Sequence, residues 1–97
     1  MQQTHQTIVM VAQTHPADFA RFVELENGFA ELFAYHGLLL RHRFRDPAAC
    51  SEVHVIDALR PDSLSGYFAN PRRVALRKDF DALRVEQRVL DVTDIVG

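Results

Sequence analysis

The residues of this 97-residue chain best suited to chemistry are its histidines, a run of alternating arginines and one cysteine. His42 lies in segment 38–45 and His54 in segment 52–59, both with alternating side chains. Residues 46–51 between them (Asp46 and Pro47 through Cys50 and Ser51) form a short loop, so the two segments should pair as an antiparallel hairpin. Symmetric closure sets Arg45 opposite Ser51, Phe44 opposite Glu52, His42 opposite His54 and Leu40 opposite Ile56. His42 and His54 are therefore the candidate catalytic pair, with Glu52 close by. Two imidazoles and a carboxylate on one face suit proton transfer, and also resemble a facial metal-ligand set. Glu52 sits at the hairpin end, which is poor ligand geometry, so no metal is expected. The plainer alternative is a pair of half-buried histidines hydrogen-bonded to backbone or water.

The same register puts Arg41, Arg43 and Arg45 together on the other face. Such a ladder could hold an anion, or it could be a solvated edge row that blocks strand-to-strand aggregation. Arg41 would lie diagonal to Asp57, within reach of a side-chain pair. A third group is Phe29, Phe33 and His36 with Tyr67 and Phe68. These could line a ligand cavity in which Tyr67 and His36 supply the polar groups; ordinary core packing is the alternative. Cys50 has no sequence-local base and offers no nucleophile. No glycine-rich phosphate loop, CxxC, HExxH or GxSxG occurs.

Several elements must position these groups. Residues 7–13 are short, apolar and β-branched, and predict a strand. Pro16 suits a first helical turn, and Asp18 there suits the helix dipole. Phe19, Phe22, Val23, Phe29, Leu32 and Phe33 recur at helical spacing across 16–36, with Gly28 as a point of looseness or kinking and Gly37 as the stop. After the hairpin, Asp62 or Ser63 can cap a second helical region. Asn70-Pro71 breaks it, and Asn70 can cap a further helix to about Leu83. Residues 85–92 make the last strand. The order β-α-β-β-α-β is a ferredoxin-like, split β-α-β α+β fold: a four-stranded antiparallel sheet with helices on one face. Right-handed crossovers place strand 52–59 beside strand 7–13.

A sheet covered on one side should alternate apolar and polar residues. These central strands do not. Val9 and Val11 oppose Ile8, Met10 and Ala12 on the two faces of the first strand, and Val53, Val55 and Leu59 oppose Ile56 and Ala58 in the other. A bare apolar sheet face is more than a soluble monomer usually exposes. A second copy packed sheet against sheet, as a homodimer, would cover it.

Composition narrows the classes further. The chain is 47% hydrophobic and 25% charged with a net charge of −2, an ordinary composition for one globular domain spanning 1–97. Residues 1–6 are expected to be disordered. RNA-recognition domains share this element order but display stacking aromatics on their central strands, and none stands there, so no nucleic acid is expected. No apolar run approaches the ~20 residues of a membrane helix. The polar N-terminus carries no secretory pattern, and the free Cys50 suits a reducing compartment. The expected location is cytoplasmic, with no membrane partner.

The chain resembles the dimeric α+β barrel superfamily of antibiotic-biosynthesis-monooxygenase-like and EthD-like small proteins. The resemblance rests on the element order and on three stretches. These are Tyr35-His36-Gly37 after an aromatic helix, segment 52–57, and Tyr67-Phe68-Ala69-Asn70-Pro71 followed by Arg72 and Arg73. It implies a homodimer with a pocket between sheet and helices. It also implies a small-molecule-binding protein, with cofactor-free monooxygenase-like action on an aromatic or polyketide-like compound as the most concrete version. No cofactor is expected. The competing expectation is a non-catalytic ligand-sensing or structural homodimeric module.

Overall fold

The computed structural model describes residues 6–95. Strand β1 (Gln6–Thr14) leads through a 3₁₀ turn at Pro16–Asp18 into helix α1 (Phe19–Leu32), and a second 3₁₀ turn at Phe33–His36 follows. The hairpin is β2 (Leu38–Asp46) and β3 (Ser51–Ala58). Helices α2 (Ser63–Ala69) and α3 (Pro71–Asp81) precede β4 (Val85–Val92). The strands form one antiparallel sheet in the order β2-β3-β1-β4. This is the expected ferredoxin-like α+β arrangement, with β3 and β1 at the centre. Of the residues 1–6 expected to be disordered, 1–5 lie outside the described residues and Gln6 opens β1.

Local chemistry sets the element ends. The Asn70 side chain accepts a hydrogen bond from the Arg72 amide at 2.9 Å, capping α3 with Pro71 in its first turn. Gly37 adopts φ +66°, a backbone conformation that L side chains rarely adopt, so the helix stop calls for glycine there. Asp62 precedes α2 without a side-chain cap; Ser63 is buried and bonds the Arg60 amide and the Gly37 carbonyl instead. Gly28 does not break α1, which continues to Leu32. Its missing side chain admits Leu76 of α3, whose methyls would lie 3.2 Å from a Cβ.

The core sits between the helices and one face of the sheet. Met10 and Ala12 pack against Phe22, Leu25 and Phe29 of α1 and Phe80 of α3. A second cluster joins Phe33, Leu38 and Ala58. The opposite face is uncovered in the single chain: Val11, Leu39, Phe44 and Leu90 are exposed there.

The hairpin register departs from symmetric closure at one residue. Leu40 pairs with Ile56 as expected, but the next pair is His42 with Val55, leaving Arg41 as an extra, bulged residue. Beyond it every β2 side chain changes face. Arg43 now opposes His54 and Arg45 opposes Glu52, while Phe44 opposes Val53. The expected His42–His54 pair is thus not formed. The two histidines lie on opposite faces of the sheet, and His42 stacks on Phe44 with ring centroids 5.5 Å apart. The arginine ladder is likewise split. Arg41 alone reaches Asp57 (3.5 Å) on the outer face, as the diagonal pairing predicted.

The physical reason lies in Glu52. Its backbone position in β3 turns its side chain to the helix side, where it is fully buried. An ionised carboxylate there needs cations. The bulge supplies two, Arg43 and Arg45.

Candidate active site

The helix side of β3 carries a chain of buried polar groups. The Arg43 guanidinium donates to Glu52 through Nε (2.8 Å to Oε1) and Nη2 (3.2 Å to Oε2), and Arg45 Nε donates to Oε2 at 2.7 Å. Arg43 Nη1 also donates to Asn27 Oδ1 of α1 at 2.6 Å. Burial alone would raise the Glu52 pKa, but hydrogen bonds from Arg43, His54 and Arg45 outweigh it and hold the carboxyl below its ordinary range. Glu52 is therefore a carboxylate. Nε2 of His54, 2.7 Å from Glu52 Oε1, must then carry the proton and donate it.

That bond fixes the imidazole and points Nδ1 toward α1. Glu26 Oε2 lies 3.4 Å from Nδ1. His54 is 2% and Glu26 5% exposed. Burial depresses the His54 pKa against the pull of Glu52. Burial, reinforced by the nearby Glu52 charge, raises that of Glu26 to about 7, with Arg43 and Arg77 opposing. Near neutral pH the Glu26 carboxyl thus sits at the point where it can take or give a proton, beside an imidazole of fixed tautomer.

Both groups open onto a cavity of about 290 Å³ between sheet and helices. Its walls are mainly apolar: Ile8, Met10 and Ile56 from the sheet, Phe29 and Phe33 from α1 and the turn after it, Leu64, Tyr67 and Phe68 from α2. Phe33 meets the Tyr67 ring edge-on at 5.4 Å. Burial pushes the Tyr67 hydroxyl up to about 12, with Arg73 working against it, so it stays a neutral phenol. Arg73 and Arg77 of α3, with Gln87, Val89 and Asp91 of β4, Gln6 of β1 and Leu38 of β2, complete the lining.

The structure thus brings together four of the five expected ligand-binding residues: Phe29, Phe33, Tyr67 and Phe68. His36 stands behind them. Its Nε2 lies 3.0 Å from Asn70 Nδ2 and its ring meets that of Tyr67 at 6.1 Å. Of the two expected catalytic histidines, His54 reaches the cavity and His42 does not. Glu26, Arg73 and Arg77 were not anticipated. For Glu26 a signal existed. With Phe22, Leu25 and Phe29 it completes the i, i+3, i+4, i+7 buried stripe of α1, an unusual place for a carboxylate unless its burial has a use.

No family model matches the chain, and no curated protein matches it in sequence. Solved structures do match in shape. A Bacteroides thetaiotaomicron protein proposed to be an antibiotic biosynthesis monooxygenase superposes with a TM-score of 0.81 at 7% identity, over 96% of this chain and 91% of that one. The chain has the antibiotic-biosynthesis-monooxygenase-like fold. SnoaB, a cofactor-independent oxygenase from Streptomyces nogalater, shares this monooxygenase-like fold with a TM-score of 0.70 at 19% identity, over 97% and 98% of the two chains. So does Rv0793 of Mycobacterium tuberculosis, with a TM-score of 0.75 at 12% identity, over 97% and 100%. The ferredoxin-like α+β fold read from the sequence is therefore the fold these structures share. Among the described residues no helix is long and apolar enough to cross a membrane.

Proposed function

We propose that the chain is a homodimeric, cytoplasmic small-molecule-binding protein that oxygenates an aromatic or polyketide-like compound without a cofactor. One observation carries this reading: an apolar cavity whose polar wall is a proton acceptor near pKa 7 backed by a fixed imidazole. The likeness to SnoaB supports the reaction class, and the uncovered apolar sheet face supports the dimer. A cavity of about 290 Å³ is at the small end of the ~300–1,000 Å³ usual for ligand pockets, which favours a compact fused-ring molecule.

The chemistry needs little from the protein beyond a dry base. A phenol or enol that loses its proton becomes electron-rich enough to reduce O₂ directly. One oxygen atom enters the carbon skeleton and the other leaves as water, as in phenol + O₂ → quinone + H₂O. The substrate supplies all the electrons. Glu26 takes the substrate proton, and His54 at 3.4 Å stabilises the protonated state through Nδ1 while Glu52 anchors Nε2. The apolar walls exclude water that would otherwise compete for the proton.

The test is oxygen uptake with fused-ring phenols such as dihydroxynaphthalenes. Glu26→Gln and His54→Gln should each lower turnover on the order of 10²-fold or more. His42→Gln, on the opposite face, should leave it unchanged. Ligand binding without oxygen uptake in the unaltered protein would favour a sensing module instead. Turnover indifferent to both Glu26→Gln and His54→Gln would refute the assigned base.

A further inference from the structure

Among the described residues, Arg73 is the cation of the cavity that no carboxylate claims. Arg21, Arg41, Arg43, Arg45, Arg60, Arg72, Arg77 and Arg84 each form an ion pair with Asp or Glu. Arg73 lines the cavity and, among the described residues, forms none, and its Nε is buried with no hydrogen-bond partner among them. A buried donor left unpaired is costly, and guanidinium N–H groups in particular are rarely left so.

The position of Arg73 sharpens the point. It lies in the first turn of α3, two residues after Pro71, where the helix dipole disfavours a cation. Its neighbour Arg72 is offset by Glu31 at 3.9 Å. Arg73 instead rests on ring faces, 4.9 Å from the Phe68 centroid and 5.5 Å from that of Tyr67. The two rings fix the guanidinium in place, and a hydrogen bond to the Tyr67 hydroxyl occupies part of the fork while the buried Nε stays open for another partner.

We propose that Arg73 is a specificity residue that receives the carboxylate of an aromatic acid bound in the cavity. A planar oxyanion matches the guanidinium fork, and both the unpaired Nε and the α3 dipole favour negative charge at that place. The flat apolar body of the ligand would lie against Ile8, Phe29, Phe33 and Tyr67. Arg77 does not compete for this role. It pairs with Asp81 at 2.9 Å and bonds Gln87 at 3.4 Å. The inference rests on the cavity being the ligand site, as proposed above, and narrows its ligand to acids.

Calorimetric titration with 2-naphthoate and its neutral counterpart 2-naphthamide separates the two ideas. The unaltered protein should bind the acid on the order of tenfold or more tighter than the amide. Arg73→Gln should erase that preference while keeping amide binding. Arg73→Lys, which keeps the charge but loses the fork, should retain only part of it and covers the case in which Arg73→Gln fails to fold. Arg88→Gln, on the outer sheet face, should behave as the unaltered protein. Equal binding of acid and amide, or a preference that survives Arg73→Gln, would overturn the role of Arg73 while leaving the cavity as a site. Binding of neither probe would overturn the ligand site and this inference together.

Discussion

The two faces of β3 are one strand answering to two environments. The outer residues Val53 and Val55 are apolar and only half-buried in the single chain; the inner residues Glu52 and His54 are polar and almost completely buried. Ordinary sheet patterning would have it the other way round. The inversion makes sense if the inner face is built for proton chemistry and the outer face for another copy of the sheet. Burying Glu52 and His54 is tolerable because their hydrogen-bonding capacity is met by Arg43, Arg45 and each other.

Substitutions can break this comparison face by face. Glu52→Ala removes the anion that Arg43, Arg45 and His54 share, and should cost about 3 kcal/mol in chemical denaturation. The partial exposure of both arginines keeps the loss at the low end. Glu26→Gln should act in the opposite direction and only at high pH. The folded-state pKa of about 7 exceeds the ordinary 4.5, so the stability tied to Glu26 is full below pH 4.5 and is lost as pH rises to 7. At pH 8 the glutamine variant should be more stable than the unaltered protein by up to about 3 kcal/mol, and at pH 4 the two should agree. The depressed His54 pKa tilts both proteins the other way, with stability falling as pH drops below the ordinary histidine range, so the difference between them isolates Glu26.

Deleting Arg41 is a finer probe. The pairs on either side of the bulge, Leu40 with Ile56 and His42 with Val55, become consecutive without it. A deletion inside a strand ordinarily reverses every later side chain. Here Arg43 and Arg45 should stay on Glu52, with a loss of about 1 kcal/mol for the Asp57 pair and the altered bend. On the outer face, Val55→Asp should cost the monomer about 1 kcal/mol, because Val55 is half-buried on a central strand, yet abolish the proposed dimer in sedimentation. A monomer already in the unaltered protein would refute that assembly.

Much of this architecture is legible in the chain. Element order, the helix break at Asn70-Pro71, the stop at Gly37 and the two apolar faces all follow from local propensity and periodicity. The cavity aromatics follow from placing α1 and the α2 region over one sheet. The bulge does not. Arg41, Arg43 and Arg45 alternate with His42 and Phe44 without a break, so nothing local marks Arg41 as extra; the shift answers to the demand of Glu52, a residue on another strand, for cations. His42 and His54 were paired by a register that this tertiary demand overrides. Glu26 lies among exposed acidic neighbours, Glu24 and Glu31, which masks it in the sequence, although its spacing from Phe22 and Phe29 sets it on the buried side.

A buried, neutral His54 held through Nε2–H by Glu52 at the edge of the cavity is central to the proposed chemistry. Long-range ¹⁵N–¹H correlation across a pH titration reads this directly. It should show His54 as the single Nε2–H tautomer, titrating below the ordinary histidine range. A His54 that exchanges between tautomers and titrates like a solvent-exposed imidazole would contradict it.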